Sequence, residues 1–138
     1  MAAGEAFSAE QRARMDHAVA SAQSATGLRV ALCIGELDPE PRLEGERTLA
    51  HIAADPRESV VLILVSPGDR RVEIVSTPAA RRRLPDHVAG LAILSMTSSF
   101  GVGDLVGGIV TGVRQLADAA GPPAAAESSV AGEVLPRA

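Results

Sequence analysis

The chemistry most directly offered by the sequence is carried by four carboxylates, Glu36, Asp38, Asp69 and Asp104. Glu36 and Asp38 stand in the run Glu36-Leu37-Asp38-Pro39-Glu40-Pro41, Asp69 follows Pro67-Gly68, and Asp104 lies between Gly103 and Leu105. Carboxylate oxygens are hard donors that suit calcium or magnesium, whereas zinc prefers His and Cys. To act together, the four must be carried to one end of a sheet by the elements between them. Each also has an ordinary role: Asp104 as a helix cap, Asp69 as a turn residue, the loop acids as solvated charge.

Other reactive side chains offer less. His17, His51 and His87 fall on three different expected helices, without the spacing that metal ligation needs. Cys33 is the only cysteine, so no intrachain disulfide can form; inside an apolar run it is expected to pack as a small hydrophobe. Ser95, Ser98 and Ser99 lie outside any nucleophile-elbow motif. Arg81-Arg82-Arg83 could grip a phosphate or an acidic partner through bidentate guanidinium pairing, although a run on a short turn is commonly solvated. No nucleophile, base and orienting group can be assembled from these residues, so the chain is expected to be non-catalytic.

Composition narrows the field further. All thirteen basic residues are arginine, and without lysine neither Schiff-base chemistry nor a Walker-type phosphate lysine is available. A net charge of −4 gives no long-range attraction for nucleic acid or an anionic membrane, which leaves a protein partner or a cation as the expected ligand. Trp and Tyr are lacking and Phe7 and Phe100 are the only aromatics, so base-stacking surfaces are nearly absent. The longest fully apolar run, Val60 to Val65, is far too short to cross a bilayer, and Met1-Ala2-Ala3-Gly4-Glu5 has no signal-peptide character. The protein reads as cytoplasmic.

The elements that would position the carboxylates follow from periodicity and punctuation. Ser8-Ala9-Glu10-Gln11 is a capping-box pattern; Met15, Val19, Ala22 and Ala25 or Thr26 recur at helical spacing, and Gly27 offers a left-handed stop. Leu28 to Ile34 reads as a strand. After the acidic, proline-interrupted loop, Arg42 to Ala53 forms a weaker helical pattern closed by Asp55-Pro56. Ser59 to Val65 reads as the central strand, covered on both faces. Ser66-Pro67-Gly68-Asp69 has Pro and Gly where a type II turn wants them, which sends Arg71 to Ser76 back as a hairpin partner.

Thr77-Pro78 opens a short helical turn, and Asp86 is placed to cap a helix from about His87 to Ser99 that is apolar on most sides and therefore expected to be covered. Gly101-Val102-Gly103 breaks it, and Asp104 caps a last helix with a stripe of Leu105, Ile109, Val113, Leu116 and Ala120. Gly108 and Gly112 share a face of that helix and permit close packing. Gly121-Pro122-Pro123 ends it, and the Ala-, Ser- and Pro-rich segment to Ala138 is expected to be a disordered tail.

This order, α-β-α-β-β-α-α, predicts one α/β domain over residues 7–120 with a tail over 121–138: a small mixed β-sheet with helices on both faces. The strand-helix-strand unit from Leu28 to Val65 should be a right-handed crossover with parallel strands. Glu36, Asp38 and Asp69 then leave the same sheet end. The third long helix, of about 13 residues at 1.5 Å each, returns the chain about 20 Å, which brings Asp104 to that end.

Several pieces in this order carry a resemblance. Val60-Val61-Leu62-Ile63-Leu64-Val65, the hairpin through Asp69-Arg70-Arg71-Val72-Glu73-Ile74, Leu84-Pro85-Asp86 and Gly103-Asp104-Leu105-Val106-Gly107-Gly108 together resemble the TPM domain family over about residues 8 to 120. The family includes acid phosphatases of thylakoid lumens and bacterial proteins of unsettled role, some with bound calcium. The resemblance therefore implies an acidic cation-binding or hydrolytic site. Where members commonly leave the hairpin through a glycine-rich loop, Ser76-Thr77-Pro78-Ala79 stands here, and the chain looks like a soluble bacterial branch of unknown function.

Two functions compete at this point. One is a non-catalytic TPM-like module that binds a partner or a divalent cation, calcium or magnesium, through Asp104 with the Glu36 to Glu40 loop. The alternative is a metal-dependent acid phosphatase in which Asp38 and Asp104 hold the ion and an activated water attacks a phosphomonoester.

Overall fold

A computed structural model describes residues 7–37, 39–55 and 57–123, so residues 124–138 of the expected tail over 121–138, and the carboxylate of Asp38, lie outside the described residues. The chain folds as mixed α/β in the order α1 (Ala9–Thr26), β1 (Arg29–Ile34), α2 (Pro41–Ile52), β2 (Val60–Ser66), β3 (Arg71–Ser76), α3 (Pro78–Arg81), α4 (Asp86–Gly101) and α5 (Leu105–Ala120).

Helix α1 begins on the expected capping box, with the Gln11 N–H donating to the Ser8 hydroxyl at 3.0 Å and the Ser8 N–H to Gln11 Oε1 at 2.9 Å. It stops at Gly27, whose φ of +75° is open to glycine at little cost. The sheet order is β1-β2-β3, with β1 and β2 parallel and β2 and β3 antiparallel. Every residue of β2 is buried, as its unbroken apolar run requires. On one face Val61, Ile63 and Val65 join Met15, Met96, Ile109 and Val113 in the main core. On the other, Val60, Leu62 and Leu64 meet Val75 and Leu49 of α2. Three long helices thus cover one face and a single helix the other.

Four expectations are corrected. The reversal into β3 is not a type II turn at Gly68: β2 runs on through Ser66, Arg70 N–H donates to the Pro67 carbonyl at 3.2 Å, and Arg70 holds the positive φ of 56°. This is the hairpin form in which a turn is followed by one left-handed residue. In β3, Val75 is buried along with Val72 and Ile74, because α2 gives its face a small core of its own.

Asp86 is not the cap of α4; Pro85 occupies that position without a side-chain bond, and Asp86 lies in the first turn, where its charge favours the helix dipole. Helix α4 is also less covered than its composition suggests, with Leu91 60% and Leu94 62% exposed. Cys33, finally, is exposed rather than packed as a small hydrophobe, because β1 is an edge strand.

Candidate functional site

The parallel pairing of β1 and β2 sends Glu36 and the turn holding Asp69 out of the same sheet end. Helix α4 starts after β3 has returned to the opposite end, and its 16 residues at about 1.5 Å each span about 24 Å, so Asp104 comes back toward the carboxyl ends of the parallel strands. Ligands of open α/β sheets usually bind at that end.

Each of these carboxylates has a local engagement. Asp69 lies 3.4 Å from Arg71 Nε, an ion pair inside its own hairpin. Asp104 accepts the Gly107 N–H at 3.1 Å and so caps α5. Arg71 also donates to the Leu37 carbonyl at 3.3 Å, which ties the acidic loop to β3. Glu36 is exposed. The fold therefore carries Glu36, Asp69 and Asp104 toward one end, but among the described residues no three of His, Cys, Asp and Glu converge as a metal-holding group.

The arginine run has structural duties. Arg81 donates to the Ser76 carbonyl at 2.7 Å, and Arg83 donates to the carbonyls of Gly121 at 2.9 Å and Pro122 at 2.6 Å, satisfying acceptors left at the end of α5. Although the residue is exposed, partial desolvation of its sulfur and the nearby Glu44 carboxylate push the Cys33 thiol up from its ordinary value, the wrong direction for an activated nucleophile. The histidines sit on α1, α2 and α4, and His17 approaches Ser21 Oγ at 3.4 Å.

A second region was not singled out by the sequence. Between α1 and α5 lies a groove of about 380 Å³ with Ala18, Ala22, Val110 and Ala117 among its lining and with Arg14, His17, Ser21, Arg114 and Asp118 around them. Arg14 and Arg114 make no ion pair or hydrogen bond among the described residues. Small alanines let the two helices lie close while leaving a shallow trough, and the unpaired guanidiniums present several donors to an anion. The signal was weak in the sequence, since alanines at helical spacing read as core and the two arginines come from opposite ends of the chain.

Fold and grooves together define a small α/β module with a carboxylate-bearing sheet end and a cation-rimmed helix groove. The chain belongs to the family described as Domain of unknown function (DUF5130), which matches residues 2–117. Two uncharacterized proteins of Mycobacterium tuberculosis, Rv2468c and MT2543, are each 26% identical over 108 residues, or 78% of this chain and 64% of the relative. The chain thus spans 64% of the length of the curated relatives it matches.

Among solved structures, the BA42 protein of the psychrophilic bacterium Bizionia argentinensis superimposes with a TM-score of 0.68 at 20% identity, covering 84% of each chain. The N-terminal domain of a protein from P. gingivalis gives 0.69 at 16% identity, covering 82% of this chain and 75% of that one. At these identities the likeness is one of fold. The family itself is one of unknown function. No described helix is long and apolar enough to cross a membrane.

Proposed function

We propose that the chain is a cytoplasmic, non-catalytic, TPM-like module that binds an acidic segment of a partner protein in the groove between α1 and α5. The observation that supports this reading is the pair of unengaged guanidiniums, Arg14 and Arg114, beside His17 over an alanine-lined floor. In a chain of net charge −4 this groove is a local cationic exception, and bidentate pairing with carboxylates is what arginine does best. The apolar floor would take the alanine or leucine side chains of an amphipathic helix.

Titrating the protein with an amphipathic peptide rich in Glu and Leu, followed by NMR, tests the reading. Amide shifts confined to the residues around Arg14, His17 and Arg114, and lost in Arg14→Glu/Arg114→Glu, are expected. An absence of shifts, or equal binding by the charge-reversed variant, would overturn it.

A second reading has its own support. The arrival of Glu36, Asp69 and Asp104 at one sheet end favours calcium or magnesium there, with Asp38 completing the oxygen set. Asn caps a helix about as well as Asp, so Asp104→Asn keeps the cap and removes a charged ligand. Millimolar calcium or magnesium should raise the Tm of the wild type and not of Asp104→Asn; the same Tm with and without metal in the wild type ends this reading. The phosphatase alternative requires turnover of a generic phosphomonoester with added metal, abolished by Asp104→Asn.

A further inference from the structure

Strand β1 is an edge of the sheet, and its inner hydrogen bonds identify which of its groups are free. Arg29 N–H donates to the Ser59 carbonyl and Gly35 N–H to the Val65 carbonyl, both at 2.9 Å, so the odd-numbered residues turn their backbone groups toward β2. By the two-residue period of a strand, Val30, Leu32 and Ile34 turn theirs to the open edge. Val30 N–H is already occupied, donating to Gln23 Oε1 at 2.8 Å. Leu32 and Ile34 have no such cap among the described residues.

Edges of natural sheets are usually guarded by lysine, proline, a bulge or an inward charge. Ala31-Leu32-Cys33-Ile34 carries none of these. Alongside lies an open groove of about 360 Å³ between α1 and β1, lined by Phe7, Met15, Val19, Leu32 and Ile34, with Arg12 and Asp16 also on its wall.

We propose that this edge is a self-association surface on which β1 pairs antiparallel with β1 of a second copy, Leu32 opposite Ile34 of the other chain and Ile34 opposite Leu32. The register follows from the free groups. Residues 32 and 34 form two hydrogen-bonded pairs about a two-fold axis at residue 33 and use only uncapped donors and acceptors. The next register, centred on Leu32, needs Val30 and would displace Gln23. A slip by a single residue would turn every apolar side chain to the wrong face. An axis normal to the sheet keeps like faces together, so the Leu32 and Ile34 side chains of each copy enter the groove beside α1 of the other. The interface is small and belongs to the transient class below about 1,200 Å² in total.

This register sets Cys33 against Cys33 of the second copy as a non-hydrogen-bonded pair, whose Cα atoms lie about 4.5 Å apart, within the range a disulfide spans. Cys33 is exposed and thus a reporter of the pairing. Added diamide takes two electrons and two protons from the facing thiols, forming the S–S bond and reducing its own N=N bond to a hydrazine. Diamide should crosslink the native chain at least about tenfold faster than the same chain in denaturing urea, because pairing raises the effective thiol concentration.

Sedimentation of the reduced protein should show a reversible monomer–dimer equilibrium. Leu32→Arg and Ile34→Arg, each first shown by circular dichroism to remain folded, should stay monomeric and lose the crosslinking advantage. Monomer alone up to about millimolar concentration, crosslinking no faster than in urea, or undiminished dimerisation by both variants overturns the proposal.

Discussion

Gly112 of α5 lies directly over the side chain of Met96 in α4, so that a Cβ added to it would stand 2.5 Å from Met96 Cγ. Met96 is fully buried, so its side chain can yield only by displacing its own neighbours in the core. Gly108 stands in the same relation to Ser99, where an added Cβ would come within 2.7 Å of Ser99 Cβ. The two glycines let α4 and α5 approach closely, and that approach fixes where Asp104 is delivered.

Gly112→Ala should therefore destabilise the protein by about 1–3 kcal/mol through overpacking, despite the better helix propensity of alanine. Gly90, in α4, has open space where its Cβ would stand, and Gly90→Ala should stabilise by about 0.5–1 kcal/mol. Urea denaturation of the two variants checks the pair; stabilisation by both would mean that the helices are not packed as described.

Thr77 is a further point of leverage. Its buried hydroxyl donates to the Glu58 carbonyl at 2.6 Å, accepts from Val60 N–H at 3.0 Å and from Ala80 N–H at 3.4 Å, and so joins the start of β2 to the cap of α3. Thr77→Val keeps the volume and removes the bonds, and should cost about 2–4 kcal/mol by leaving buried backbone groups unpaired. A loss below about 0.5 kcal/mol in thermal or chemical melts would assign those groups to water instead.

Leu62→Ala should cost about 2–5 kcal/mol, since Leu62 is fully buried in the central strand between Ala31 and Val75. Denaturant melts with an unchanged m-value would locate the effect in the folded core.

The carboxylate of Asp55 accepts hydrogen bonds from Arg57 Nη2 at 3.0 Å and from Arg57 N–H at 2.9 Å, and these hold its pKa below the ordinary aspartate value. A depressed folded pKa means that the associated stability is present above the unfolded pKa and is lost as pH falls through the folded one. NMR titration should find Asp55 below the ordinary aspartate value and Arg57→Ala should return it upward, with little change in global stability because the pair is exposed.

Elements with local punctuation were legible in the sequence. Ser8 and Gln11 marked the start of α1, Gly27 its end, and the run from Val60 marked a strand covered on both faces. What stayed hidden depended on neighbours that local pattern does not specify. An apolar strand reads alike at the centre and at the edge of a sheet, so Cys33 was placed inside although β1 has a partner on only one side. Helix α4 reads as covered because it bears no ionisable side chain beyond Asp86 and His87 in its first turn, yet Leu91 and Leu94 face outward. In the candidate site, topology could bring Asp69 and Asp104 to one end, while the engagement of Asp69 by Arg71 and the presence of Arg14 and Arg114 along one groove are three-dimensional facts.

The unequal cover of the sheet has a kinetic consequence. On the face opposite the three long helices, α2 is held by Leu49 and a handful of neighbours, and its Glu40 cap makes no side-chain bond. Such an element sits at the low end of the stability hierarchy and opens without the rest of the molecule. Amide protons of α2 should exchange with solvent well ahead of those in β2. During each opening Leu62, Leu64 and Val75 are briefly wetted, so the protein spends a small part of its time as a two-layer structure with one bare sheet face.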